Sequence, residues 1–363
     1  MDATYIYKLA PHSAFHFGLR GVGVEESASF CPADTLFSAL CLTLLEWETD
    51  GKQALESWLA RFSPGESGLP PLRLSSAFPY AGEVCFFPRP MMPANMADET
   101  APQGEAKTLK KIRLVSEGIL RAWLEHKPLS GELNDEQLLH GGRVWVTSGE
   151  RDELKAFLDK DDVIRMWTNR TRPRVSIDRM RSNSSVYQAG VVRFKPGAGL
   201  FTLVEFPDDP QGAERARLTT LLQVLGHGGL GGERSSGYGQ FDLKGPKPFE
   251  GFGALRGERF LTLSPYHPTW PEVQAGVLKS GAAYKLQTRR GWVGATGALH
   301  LRRRSVCVLS EGSILHHRGQ ASYGDLADVS PRYEDGHPIL NHKVWRYGIA
   351  FPLPVLAPLQ EGD

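Results

Sequence analysis

Apolar positions along this chain switch between two periods. Residues Thr4 to Leu9 alternate as a strand does. Leu36, Leu40 and Leu44 then fall on one face of a helix predicted over Thr35–Glu46, with Asp34 as its N-cap. A second short helix is expected at Gln53–Arg61, then a breaker-rich turn over 63–71 and strand-like pieces from Leu72 to Phe87. Residues 88–106 hold four prolines and no periodicity, which predicts a long loop. Ser116 is placed to cap a helix running to Leu124, and Val186–Phe194 reads as a strand. Leu218, Leu221, Leu222 and Leu225 restore helical spacing over 213–225, with Gly226 where a C-terminal glycine belongs. Gln240–Leu243 alternates again.

The segment Gly245-Pro246-Lys247-Pro248 is the best candidate boundary, and the pattern restarts beyond it. Arg259–Leu263 reads as a strand. Thr269-Trp270-Pro271-Glu272 is a capping box with proline in the first turn, opening a helix to Leu278. Strands follow at Tyr284–Leu286, Val306–Leu309 and Val344–Phe351. A chain of 363 residues can bury two cores, so two units are expected, 1–245 and 246–363.

The stretch from Gly226 to Phe241 holds seven glycines around Arg234, Ser235, Ser236 and Tyr238. Such density predicts repeated positive φ or close approach of the backbone to something. Arg234 offers a planar fork of donors that suits phosphate, and Tyr238 a face on which a base can stack. Free backbone N–H groups would complete a phosphate cradle. The same glycines would also serve a loop that merely caps a helix. The helix precedes the glycines, and no Gly-Lys-Ser/Thr occurs, which excludes a P-loop and a Rossmann turn.

Charge changes the picture little. Lys and Arg number 42 against 41 Asp and Glu, for a net charge of +1, so an RNA site must be a local patch. The densest basic run is 163–195, where arginines interleave with Trp167, Ile177 and Tyr187; this suits single-stranded RNA but also a solvated strand face. Four scattered cysteines, Cys31, Cys41, Cys85 and Cys307, favour a reducing cytoplasm over a zinc ribbon. No apolar run reaches the ~18 residues of a membrane span, and no signal-peptide pattern opens the chain. His316-His317, His337 and His342 lack Cys or Asp at ligand spacing, and Asp325 and Asp328 form no Asp-x-Asp pair, so neither a metal nor another cofactor is expected.

Residues 228–241 resemble the glycine-rich loop of the RAMP superfamily, the repeat-associated RNA-binding subunits of CRISPR systems. Pro11–Gly18 resembles that family's first strand, and Ser29–Cys41 the start of its first helix. Arg174–Arg179, Glu311-Gly312-Ser313 and Trp345–Gly348 resemble the fourth subunit of type III-A (Csm) effector complexes. The resemblance implies an α+β chain of two ferredoxin-like (RRM-type) domains, the first carrying residues of about 80–190 as an insertion. It implies guide-RNA contact at Gly228, Gly229, Gly231, Gly232, Arg234, Ser235, Ser236, Gly237 and Tyr238. Ile177–Tyr187 would form a thumb-like hairpin, with Arg174, Arg179 and Arg181 meeting phosphates. His16 and Gly18 would touch the backbone of the repeat-derived 5′ tag.

The expected function is therefore a non-catalytic subunit gripping the 5′ tag of a mature CRISPR RNA. The implied partners are that RNA, the large polymerase-palm subunit and the first backbone RAMP subunit, with no membrane partner. An apolar protein-facing surface is also expected, and the run Tyr347–Val355 is either a core strand or part of it. Two rivals stand beside this reading. One is a metal-independent endoribonuclease acting through His12 or His16, as related RAMP nucleases use histidine. The other is a pure protein scaffold.

Overall fold

A computed structural model describes residues 4–18, 27–62, 69–96, 103–178, 183–255, 257–294 and 301–356. The first half is built from β1 (Thr4–Pro11), α1 (Ala33–Trp47), α2 (Gly51–Ala60), β2 (Arg73–Leu74), β3 (Phe78–Ala81) and β4 (Val84–Pro88). It continues through α3 (Gln103–Lys111), β5 (Leu114–Ser116), α4 (Glu117–Leu124), β6 (Leu138–Leu139), β7 (Val144–Trp145) and α5 (Ser148–Glu153). Next come β8 (Trp167–Asp178), β9 (Asn183–Phe194), β10 (Ala198–Glu205), α6 (Ala213–Gly228) and β11 (Phe241–Pro248). Nine of these strands form one sheet in the order β11-β1-β10-β3-β4-β5-β7-β6, with β2 also paired to β10. The second half holds β12 (Arg259–Thr262), α7 (Trp270–Gln274), β13 (Leu286–Arg289), β14 (Val306–Leu309), β15 (Ile314–His316), β16 (Leu326–Asp328), β17 (Trp345–Tyr347) and β18 (Pro352–Val355). There β15-β12-β18 form a three-stranded sheet, while β13-β14 and β16-β17 are pairs. The fold is α+β. Among the described residues no helix is long and apolar enough to cross a membrane.

Strand alternation sorts residues into two cores. On β10, Leu200 and Val204 join the core that α1, α2 and α6 cover, while Phe201 and Leu203 join the one on the opposite face. That opposite core also takes Leu261, Leu263, Ile314, Phe351 and Leu353 from the second half. Both faces of the sheet are thus covered at β10, which is buried almost throughout. The two halves share a core, and Tyr347 of β17 packs on Phe37 of α1 with ring centroids 5.0 Å apart. The run from Tyr347 to Val355 is accordingly core, with Tyr347, Ala350 and Phe351 at most 1 % exposed.

Several expectations change. Asp34 does not cap α1; Pro32 occupies the N-cap, Asp34 is buried inside the first turn, and the Ala33 N–H donates to Ser76 Oγ at 2.9 Å. Part of 88–106 is helical, as the start of α3. Gly226 does not end α6, which runs to Gly228 with Gly229 as C-cap at φ +86°. Gly226 lies inside that helix because a Cβ there would stand 2.4 Å from the Phe241 carbonyl oxygen. Gly245–Pro248 is the paired end of β11, with Lys247 opposite Ile6 and Pro248 opposite Tyr5. The capping box at Thr269 and Glu272 is present, but α7 stops at Gln274. In the C-terminal run, β17 ends at Tyr347 and β18 begins only at Pro352.

Candidate RNA interface

The glycine loop follows α6 and folds back on the N-terminal segment. Gly232 N–H donates to the His16 carbonyl and Gly239 N–H to the Ala14 carbonyl, each at 2.9 Å. Leu230 N–H donates to Gly239 O at 3.0 Å, and Gly237 N–H to Arg234 O at 2.9 Å, closing a single 3-10 turn over Arg234–Ser236. These four backbone groups are therefore occupied inside the protein. The glycines answer to the same packing. A Cβ on Gly231, at φ +98°, would stand 2.6 Å from the His16 carbonyl oxygen. One on Gly229 would stand 2.6 Å from the Tyr238 carbonyl oxygen, and one on Gly232 would strike the His16 ring at 2.6 Å. Gly237, at φ +78°, would meet nothing within 4 Å. Gly228, Arg234, Ser235, Ser236 and Gly237 are exposed, and Tyr238 is half-buried. The side chains of Arg234, Ser235 and Ser236 thus face solvent at the tip.

His16 is held from below. Phe15 pairs its backbone with Val192 at the base of the β8–β9 hairpin, and Phe15 stacks on Phe17 with centroids 5.2 Å apart. The Gly190 carbonyl lies 2.5 Å from His16 Nδ1 and can only accept, so Nδ1 carries the proton and Nε2 is left toward Gly18. His12 is separate: its Nε2 lies 2.8 Å from Asp242 Oδ1 in an exposed contact.

The hairpin expected over Ile177–Tyr187 is present and longer, an antiparallel ladder from Trp167↔Phe194 to Asp178↔Asn183. Its lower arginines, Arg170 and Arg172, are exposed, and Arg172 Nη1 reaches Tyr238 Oη at 3.5 Å. Of the residues expected to meet phosphate, Arg179 and Arg181 lie outside the described residues, and Arg174 is described in its backbone alone.

Loop and N-terminal segment form one wall of a groove of about 470 Å³. His16, Gly18, Gly229, Gly231, Gly232 and Arg234 line that side. The far wall was not anticipated. It comprises Gln287, Thr288, Arg289 and Arg290 at the end of β13, with Glu311, while Thr35, Ser38, Ala39 and Leu42 of α1 also line the groove. Arg289 grips Asp34 through Nε at 2.9 Å and Nη2 at 2.7 Å, and Arg346 donates to the same carboxylate. Burial opposes ionisation of Asp34, but the two guanidinium groups outweigh it and hold its carboxyl below the usual range. Burial pushes the Glu311 carboxyl up, and Ser76 Oγ donates to it at 2.6 Å. Glu311 and Arg346 both lay in segments that carried the family resemblance, yet only the fold shows what they do. The basic pair Arg289-Arg290 at a strand end was the one local signal for that wall.

His316 and His317 are bonded within the fold. His316 Nε2 donates to the Ser280 carbonyl at 3.0 Å, and His317 Nδ1 lies 2.8 Å from Tyr323 Oη. Among the described residues no three His, Cys, Asp or Glu side chains come together as a metal site.

Comparison with known proteins finds similarity to one family. The Csm4 C-terminal domain model matches residues 256–355. A CRISPR system Cms protein Csm4 of Mycobacterium tuberculosis (strain CDC 1551 / Oshkosh) is 28% identical over 330 residues, 90% of this chain and 91% of the relative. The Csm4 of Thermococcus onnurineus (strain NA1) is 26% identical over 333 residues, 90% and 92% of the two chains. The chain is thus similar to Csm4 proteins along about nine-tenths of its length. The fold agrees. A crystal structure of a Csm3–Csm4 subcomplex of the type III-A interference complex matches at TM-score 0.67 and 18% identity, covering 96% of this chain and 99% of the other. A Csm1–Csm4 cassette with cA4 matches at TM-score 0.54 and 22% identity, covering 99% and 100%.

Proposed function

We propose that this Csm4-like chain binds the 5′ tag of a mature CRISPR RNA in the groove between the glycine loop and the end of β13. The carrying observation is the convergence there of three stretches far apart in sequence: His16–Gly18, Gly229–Arg234 and Gln287–Arg290. Arg234 and exposed Arg290 stand on opposite walls and suit two successive phosphates. Gln287 and Thr288 between them offer amide and hydroxyl groups to the edges of an unstacked base. The β8–β9 hairpin acts as a thumb beside the loop, and Arg174, Arg179 and Arg181 meet phosphates. In this reading the chain cleaves nothing, works in the cytoplasm, and comprises two ferredoxin-like units meeting near residue 246. It bridges a Csm1-type polymerase subunit to a Csm3-type backbone subunit, as the relatives crystallised with Csm1 and Csm3 suggest.

The test is ultraviolet crosslinking of the assembled complex, with the 5′ ends of copurified RNA sequenced. Crosslinks from repeat-derived 5′ nucleotides to residues 229–238 or 287–290 are expected. Crosslinks confined to neighbouring subunits would leave the chain a scaffold. Cleavage of precursor RNA that disappears in His12→Ala or His16→Ala would replace the proposal with the ribonuclease reading.

A further inference from the structure

Behind the arginine wall the buried charges do not balance. Three guanidinium groups, from Arg289, Arg303 and Arg346, gather near Asp34. Asp34 is fully buried, Arg346 has 5% of its side chain exposed and Arg289 18%. The carboxylates facing them are Asp34 and Glu311. Even with Glu311 ionised, two negative charges meet three positive ones, and a half-buried cation short of a partner is costly. Arg303 is the unmatched one. Its Nη1 donates to Ser38 Oγ at 3.2 Å, whereas its buried Nε has no hydrogen-bond partner. Burial and the neighbouring Arg346 push the Arg303 guanidinium down, and Asp34 only partly offsets them.

Arg303 lines a second cleft of about 750 Å³, between α1, α2 and the segments at 293–294 and 342–345. Ser38 and Leu42 line both this cleft and the glycine-loop groove, so the two cavities adjoin along one face of α1. The cleft offers Arg303, Lys52 and Lys343 against Glu46 and Glu56, and an apolar wall that includes Leu55 and Trp345. A cation short of a partner beside an apolar wall suits a nucleotide: phosphate on the guanidinium, base or ribose on the wall.

We propose that this second cleft is a nucleotide site whose phosphate supplies the anion missing at Arg303. Resting on the RNA reading of the groove, the occupant is the RNA continuing along α1 past Ser38. A free nucleotide is the other source of the same chemistry.

The experiment uses the full chain, Arg303→Gln, and Arg234→Ala as a probe of the first groove. Two quantities are read: the slope of log affinity against log salt for a tag RNA, and the thermal midpoint with AMP or inorganic phosphate against chloride at equal ionic strength. Arg303→Gln is expected to lower the slope by about 0.7, one single-strand phosphate contact. Its midpoint in chloride should equal or exceed that of the unchanged protein, because a repelled cation has gone. An unchanged RNA slope, with AMP raising the midpoint of the unchanged protein but not of Arg303→Gln, assigns the site to a free nucleotide. An unchanged slope together with equal responses to AMP and phosphate overturns the proposal. A lower midpoint in chloride with both responses unchanged overturns it too, leaving Arg303 a packing residue. Should the unchanged protein bind no RNA, the reading of the groove fails, and the AMP and phosphate arm alone decides this site.

Discussion

The two walls of the groove are held by different kinds of contact. The glycine-loop wall is held by backbone: Gly232 and Gly239 donate to carbonyls of the N-terminal segment, and Gly231 fits because it has no Cβ. The arginine wall is held by buried charge, Arg289 and Arg346 closing on Asp34 across sequence separations of 255 and 312 residues. At Gly229, Gly231 and Gly232 the first wall has no room for an added Cβ, and the second holds its shape by paired charge. Both leave their outer side chains, Arg234 and Arg290, exposed to a ligand.

That contrast can be broken most severely at Asp34. Asp34→Asn keeps the shape but strands two buried guanidinium groups, and should cost about 3–5 kcal/mol of stability, read by denaturant melts. The pH dependence follows with its sign. The folded-state pKa of Asp34 lies below its unfolded value, so its contribution is full at neutral pH and fades as pH falls below about 4. Asp34→Asn should flatten that acid limb; an unflattened limb would remove Asp34 from the ion cluster.

Gly231→Val attacks the backbone wall. It places a β-branched residue at φ +98° against the His16 carbonyl oxygen, and should cost roughly 2–4 kcal/mol while leaving the acid limb unchanged. A stability equal to that of the unchanged protein would show that the loop can move away from His16. Arg234→Ala sharpens the comparison at the ligand. It should lower the salt slope for tag RNA by about 0.7 with little change in the melting temperature. The smallest effect belongs to Gly237→Ala, where positive φ meets open space and the cost should be about 1 kcal/mol. If this variant binds RNA far more weakly than its stability explains, the tip backbone itself approaches the phosphate.

The hairpin differs from both walls. Its base is fastened by the bridge between Phe15 and Val192, and its strands pair from Trp167↔Phe194 to Asp178↔Asn183. Arg172→Ala at mid-height should change the RNA dissociation rate with no measurable effect on melting.

Much of this was legible in local patterns. Alternation at Thr4–Leu9, the leucine stripe of α6 and the capping box at Thr269 each depend on neighbours within a few residues, so period and propensity specify them. The density of glycine between 226 and 239 likewise announced a backbone under constraint. The glycines make room for His16 and Tyr238 of the same chain, and a sequence does not say which surface approaches a Cα. Asp34 shows the limit most clearly. Asp before an apolar helix reads as an N-cap, because capping is a local preference of about 1 kcal/mol. Two arginines from the other end of the chain outweigh it, and only the shared core of the two halves brings them there. By itself, then, the sequence determined the α+β elements, the glycine-constrained loop and the Csm4-like resemblance, all written in short-range order. The tertiary structure alone decided the second wall, its buried ion cluster and the unmatched Arg303, because buried charges are matched by distance in space, which local sequence order does not encode.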